Sequence, residues 1–451
     1  MSFPRYPAYK DSGVAWLGAV PSHWAVKRLR RVVQLNPSKS ETAALSRSSE
    51  VTFLPMEAIG EDGSLALDRL RPIGELESGY TYFAEGDVAI AKITPCFENG
   101  KGAVMRGLHG GLGFGTTELI VARPLPKLLD SGYLHRIFTS RPFMQQGEAS
   151  MYGAGGQKRV PDDFVRDFAI ALPPVDEQVV INAFLDRETA KIDALVAEQE
   201  QLITLLKEKR QAVISHAVTK GLDTSVPMKD SGVEWLGEMP AHWGIKRIAQ
   251  ISTKITNGYV GPTRDILVED GVRYLQSLHI KNNKVEFHQP YFVSEDWSNA
   301  HQKSILKAGD VLVVQTGDIG QVAVVPPAFA GCNCHALIIV SPETSSVTGE
   351  WLACVLDSDY GFHTLISIQT GALHPHLNCG NVRDVFVPVP ALKEQKALVD
   401  YVAMRSTEFD ALIREAVLSI ELLRERRSAL ISAAVTGQID VRGMATAKEA
   451  A

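Results

Sequence analysis

Two stretches of the chain repeat each other, and that repeat limits the possible architecture more than any other feature. Residues 10–28 read KDSGVAWLGAVPSHWAVKR and residues 229–247 read KDSGVEWLGEMPAHWGIKR, agreeing at 13 of 19 positions at an offset of 219. Both tryptophans recur (Trp16/Trp235, Trp24/Trp243), as do His23/His242 and Lys27-Arg28/Lys246-Arg247. A second repeat, at offset 217, runs without a gap from Val165-Arg166-Asp167/Val382-Arg383-Asp384 to Ala217-Val218-Thr219/Ala434-Val435-Thr436. It passes through Pro173/Pro390 and Glu177-Gln178/Glu394-Gln395. A period of this length marks the duplication of a domain, not a solenoid.

The tails of both units predict long helices. In the first, Ile181, Leu185, Ile192, Leu195, Leu202, Leu206, Val213 and Ala217 step by three and four; Leu398, Val402, Phe409, Leu412, Ala416, Leu423, Leu430 and Ala433 do so in the second. Pro173-Pro174 and Pro390 precede these runs and Gly221 and Gly437 follow them, as start and stop signals should. A heptad seam needs a partner helix, and the other tail is the cheapest one. Because the first helix leads from one unit to the other, pairing along its length requires an antiparallel coiled coil, about 60 Å long at 1.5 Å per residue. Two helices in separate bundles are the other arrangement the pattern permits.

Between the repeats, residues 29–164 and 248–381 align poorly. Gly86-Asp87-Val88 and Gly309-Asp310-Val311 survive as landmarks, each opening an apolar run, and β-branched runs such as Thr117–Val121 and Ala336–Val340 follow. The expected fold is α+β: two mixed, strand-rich domains separated by two long antiparallel coiled-coil helices, with a pseudo-twofold internal repeat. The boundaries expected are an N-terminal segment (1–28), a first domain (29–172), a first helix (173–222), a repeated linker (223–247), a second domain (248–389), a second helix (390–440) and a flexible tail (441–451).

Composition excludes several classes. The 451 residues hold no apolar run of spanning length. The opening residues lack an apolar signal core, so a cytoplasmic protein is expected. Five cysteines suit free thiols better than a disulfide framework. Cys332-Asn333-Cys334-His335 lacks a second ligand pair, so no metal is expected. Neither a phosphate-binding Walker loop nor an Asn/Asp-Pro-Pro-Tyr/Phe methyltransferase segment occurs. His23 and His242 have no carboxylate or nucleophile beside them in sequence and read as turn-packing residues. The tryptophans read as core anchors rather than partner hot spots. No catalytic constellation is visible. The net charge of −6 argues against a free-standing nucleic-acid binder and for partners that supply positive surface.

The order and duplication of these motifs resemble the specificity subunits of Type I restriction–modification systems. The resemblance rests on Pro173 to Gln178 and its looser copy Pro390 to Gln395, on Trp16-Leu17-Gly18 to His23-Trp24 and its copy, on Gly153 to Arg159, and on Gly309-Asp310-Val311. It covers roughly residues 10–440. It implies a non-catalytic DNA-binding chain in which each domain is a target recognition domain for half of a bipartite target on double-stranded DNA. The helices would serve as ruler and as docking site for two modification (methyltransferase) subunits, with restriction (motor–nuclease) subunits joining the complex. S-adenosylmethionine, ATP and Mg would reside in those partners and no cofactor in this chain. A stand-alone DNA-binding regulator or architectural protein is the alternative, disfavoured by the acidic charge and the absence of a helix-turn-helix pattern.

Reading bases in the major groove takes Arg or Lys toward guanine and Asn or Gln toward adenine. The polar, Gly-rich loops of the first domain offer Lys92, Thr94, Asn99, Lys101, Gln157, Lys158 and Arg159. Those of the second offer Thr256, Asn257, Gln276, Lys281, Asn282, Asn283, Gln315, Thr316 and His376. The second copy has His374-Pro375-His376 where the first has Gln157-Lys158-Arg159, which leaves open whether those two loops share a role. Most of the lysines and arginines would position phosphates rather than specify bases.

Overall fold

The computed structural model describes residues 3–154, 156–371 and 373–444. Residues 445–451 of the expected tail, and Gly155 within the Gly153–Arg159 motif, lie outside them. The chain divides into two compact units, residues 1–199 with 418–451, and residues 200–417. Each long helix, Val175–Lys220 and Leu392–Val435, therefore contributes one part to each unit.

In the first unit, the strand opened by Gly86-Asp87 lies inside a four-stranded antiparallel sheet. The strand order is Val33–Leu35, Leu119–Pro124, Val88–Ala91, Gly102–Val104. A second sheet contains a parallel pair, Glu50–Leu54 with Leu112–Gly115. The second unit repeats this plan although its sequence does not align. Its antiparallel sheet has the order Ser252–Asn257, Leu337–Pro342, Val311–Val314, Val322–Val324. Its second sheet also holds a parallel pair, Val272–Leu275 with Asn333–Cys334. The surviving Gly-Asp landmark makes the turn into the central strand. Gly86 and Gly309 sit at φ of +85° and +84°, where a side chain would be strained. The buried carboxylates of Asp87 and Asp310 accept from the backbone N–H of Ala84 and Lys307, both at 2.8 Å.

The repeated motifs assemble around the first turn of each long helix. Ala25–Arg28 pairs with Ala169–Leu172, and Gly244–Arg247 with Phe386–Val389, so each motif is sewn to the strand that feeds its helix. The buried Trp24 donates through Nε1 to Glu177 at 3.1 Å, and His23 Nε2 meets the same carboxylate at 2.8 Å. Trp243 and His242 repeat this on Glu394, at 2.9 and 3.0 Å. The next residue ties the helix to its domain. Gln178 accepts from Asp130 N and donates to Leu128 O and Pro173 O; Gln395 accepts from Thr348 N and donates to Ser346 O and Pro390 O. The two histidines do have carboxylate neighbours, brought from about 150 positions away. Both rings are exposed, so they hold the helix through this carboxylate, which the indole shares, rather than by packing in the turn. Trp24 and Trp243 are core anchors, while Trp235 is exposed.

Within each unit the two helices run antiparallel. In the first, Ile181, Phe184 and Leu185 share a core with Leu430, Ile431, Ala434 and Val435, and farther along Asp193 pairs with Arg427 at 3.0 Å. In the second, Ile214, Ala217 and Val218 share a core with Leu398 and Val402, and Arg210 pairs with Asp410 at 2.9 Å. The expected heptad seam is followed only in part. Ile214 and Ala434 are buried where Val213 and Ala433 were expected, and Leu195, Leu202 and Leu412 are exposed. A straight helix drifts about 20° per heptad against a 3.5-residue repeat, and the ends of these helices are packed against their domains rather than only against each other.

Removing the carboxylate of Glu177 strands the Trp24 N–H and the Tyr6 hydroxyl, which also donates to it at 2.8 Å. Buried donors left unpaired cost about 1–3 kcal/mol each. Chemical denaturation should therefore show Glu177→Ala losing roughly 2–4 kcal/mol. Glu394→Ala, at a more exposed site without the tyrosine, should lose less. Equal losses would mean that the tyrosine and the deeper burial add nothing.

Candidate nucleic-acid interface

In the first unit the central strand Val88–Ala91 runs out into a loop that is held from both sides. Lys92 N donates to Glu118 O, Val160 N to Lys92 O at 2.8 Å, and Thr94 N to Lys158 O at 3.0 Å. A hairpin loop closes on itself through Tyr152 and Arg159, whose backbone groups exchange bonds of 3.1 and 2.9 Å. Lys92, Thr94, Gln157, Lys158 and Arg159 are thereby brought together, with Gln157 and Lys158 exposed. The side chains are not equally available. Arg159 is clamped bidentately on Glu118 at 2.9 and 2.8 Å, and this holds the Glu118 carboxyl below its ordinary range. Thr94 Oγ1 is turned back on Lys158. Asn99 donates to Glu61 at 2.7 Å and Lys101 to Met56 O at 3.3 Å, so both brace an adjoining loop.

The second unit builds the same frame. Leu377 N donates to Gln315 O at 2.9 Å, Thr316 bridges to His376, and Thr370 and His376 exchange backbone bonds of 2.9 Å each. Val160/Leu377, Lys92/Gln315, Tyr152/Thr370 and Arg159/His376 are thus equivalent in backbone, while their chemistry differs. The His376 ring is used within the loop, meeting Thr370 Oγ1 through Nε2 at 3.2 Å and His374 O through Nδ1 at 3.2 Å. Gln315 Oε1 is buried without a hydrogen-bond partner. Asp318, Gln369 and Leu373, which the sequence reading did not single out, line a cavity of about 570 Å³ beside Thr316. Only the backbone equivalence of the two loops points to them.

The remaining candidates lie elsewhere in this unit. Thr256 is buried and its hydroxyl is directed at Asn257 O, because strand alternation turns it into the sheet. Asn257 accepts from Cys379 Sγ at 2.9 Å. Gln276 is half-buried and caps the short helix Ser277–His279. Lys281, Asn282 and Asn283 form a hairpin tip, with φ of +49° and +59° at the two asparagines, the pattern of a type I′ turn. Asn282 and Asn283 line a cavity of about 670 Å³ together with Arg210 and Asp410 of the long helices. Asn283 bonds to Asp357, whose carboxyl burial pushes up to about 6. Among the described residues no group of His, Cys, Asp or Glu could hold a metal ion, and Cys332 and Cys334 are buried.

Asp357 gives a pH test with a definite sign. Its folded value lies above the ordinary 3.8, so its contribution to stability is present below the unfolded value and lost as pH rises through about 6. Asp357→Asn should raise the melting temperature at pH 8 and leave it nearly unchanged at pH 4. The same effect at both pH values would show that the carboxyl does not titrate in that window.

Comparison with known proteins places these observations. Residues 240–412 match the family described as Type I restriction modification DNA specificity domain. Over 196 residues the chain is 39% identical to the Type I restriction enzyme EcoAI specificity subunit of Escherichia coli, covering 43% of this chain and 32% of that protein. The EcoEI specificity subunit, also from Escherichia coli, matches at 38% over 195 residues, covering 43% and 32%. The chain thus spans about a third of the length of these two relatives. The MjaVIII specificity subunit of Methanocaldococcus jannaschii matches more extensively, 22% identical over 74% of this chain and 76% of that protein. Among solved structures, a chain from work on complex assembly and conformational transition of the type I R-M system superposes with a TM-score of 0.67 at 19% identity, covering 92% of this chain and 98% of that one. The HsdS subunit from Thermoanaerobacter tengcongensis gives 0.54 at 18%, covering 93% and 98%. At these identities the structural likeness speaks to the fold.

Proposed function

We propose that the chain is a member of the specificity-subunit family of Type I restriction–modification systems, that it selects the DNA sequence on which a multisubunit enzyme acts, and that it catalyses nothing itself. The observation that carries this reading is the pair of backbone-equivalent loops, 92–94 with 152–159 and 315–316 with 370–376. The two share the bond from the strand exit to the residue after the loop and the paired bonds at the loop base, and each displays different side chains. A frame kept constant while its displayed groups diverge suits two readers of two different half-sites. Exposed polar groups such as Gln157 and Lys158 can bond base edges or phosphates. Clamped ones such as Arg159 shape the loop.

The rest of the complex follows from the same premise. Two methyltransferase subunits carrying S-adenosylmethionine, and restriction subunits using ATP and Mg, dock on this chain in the cytoplasm. The long helices keep large apolar side chains exposed in both units, Leu195, Leu418 and Leu422 in one and Leu202, Leu205 and Leu412 in the other. Such side chains suit partner helices.

Methylome sequencing of the host with and without this gene tests the proposal. One bipartite methyladenine motif should vanish on deletion and return on complementation. An unchanged methylome in a host whose methyltransferase subunits are expressed would contradict it.

A further inference from the structure

The loop at 370–376 carries Leu373, which is 90% exposed, more than any other large apolar side chain among the described residues. Single exposed apolar residues usually need no explanation, but this one stands in a loop whose two ends, Thr370 and His376, are bonded to each other. The loop base is locked by the Thr370–His376 backbone bonds and by the ring of His376. Gly371, at φ +91°, has no room for a side chain, since a Cβ there would come within 2.5 Å of His374 O.

Leu373 borders the cavity of about 570 Å³ beside Thr316, together with Asp318, Ile366, Gln369 and His374. Neither lysine nor arginine is among its lining residues, so its complement is not phosphate. What it offers is a hydroxyl, a carboxylate and an amide around an apolar protrusion. That set matches the major-groove edge of an A·T pair. The edge presents the thymine 5-methyl group beside the O4 acceptor, with the N6 donor and N7 acceptor of adenine. Glutamine is a bidentate partner for that adenine edge. The equivalent loop of the first unit shows Gln157 and Lys158, without an apolar tip at the matching place.

We propose that Leu373 is a specificity-determining residue that packs on the 5-methyl group of a thymine in the half-site read by the second unit. The proposal rests on the DNA-reading function set out above.

The test is a cycle that deletes one methyl group at a time. Once the target is known, the assembled methyltransferase complex is prepared with wild-type chain, with Leu373→Ala and with Leu373→Ile. Dissociation constants are measured on duplexes in which each thymine of that half-site is replaced in turn by 2′-deoxyuridine, which lacks only the methyl. At one position the replacement should weaken wild-type binding about 3–10-fold, the scale of one buried methyl contact. Leu373→Ala should lose a similar factor on thymine DNA and become indifferent to uridine there, while Leu373→Ile keeps the sensitivity. Three results overturn the proposal while leaving DNA reading intact: wild-type indifference at every position, unchanged sensitivity in Leu373→Ala, or a half-site without an A·T pair. Absence of any sequence-specific binding by the wild-type complex would instead overturn the parent reading, and this proposal with it.

Discussion

The fold depends on two adjacent residues at the first turn of each long helix. Glu177 and Glu394 gather the indole and imidazole of the repeated motif, while Gln178 and Gln395 hold the cap of the domain's own helix and the carbonyl of the proline that starts the long one. An acidic side chain is favoured at a helix N-terminus, and hydrogen bonds to a charged acceptor are about twice as strong as neutral ones. Three segments thus converge on each dipeptide, and of these the repeated motif is the one held through its side chains, so its tryptophan and histidine cannot change without leaving the carboxylate short of partners. That is why the motifs around Trp24 and Trp243 agree while the domains between them do not.

What lies beyond this bolt is freer. The loops at the exits of Val88–Ala91 and Val311–Val314 are held by backbone bonds, which are indifferent to side-chain identity. Lys92 can therefore become Gln315, and Arg159 can become His376, without loss of the frame. Divergence of the displayed groups is a consequence of where the hydrogen bonds were placed, and it fits the proposed pair of sequence readers.

The repeat, both long helices and the Gly-Asp-Val turns were legible because each rests on local signals: matched residues, periodicity, a proline before and a glycine after. The shared sheet order and the parallel strand pair were not, since strand pairing in Val272–Leu275 with Asn333–Cys334 spans residues that carry no mark of it. The carboxylates facing His23 and His242 were hidden for the same reason, being contacts between distant positions. The heptad reading placed Leu195, Leu202 and Leu412 in a seam, but periodicity reports which face is apolar and not what covers it. Polar residue type does not tell which side chains are already engaged within the fold. Thr256 is turned inward by strand alternation, Asn283 is spent on Asp357, and Arg159 on Glu118. Leu373 gives no signal in the sequence, because an apolar residue in a loop is ordinary until its exposure is known.

The central claim is that each unit is an independent reader on a common frame, and exchange of one reader tests it most directly. Residues 29–164 lie between the repeated motif and the strand that feeds the first long helix, so the first domain of a related specificity subunit can replace them and meet the same bolt. Methylome mapping of a host carrying the exchanged chain should show a motif with one half-site altered and the other half-site kept. A motif in which both halves change together would contradict the account, because it would mean that the two units read the target jointly.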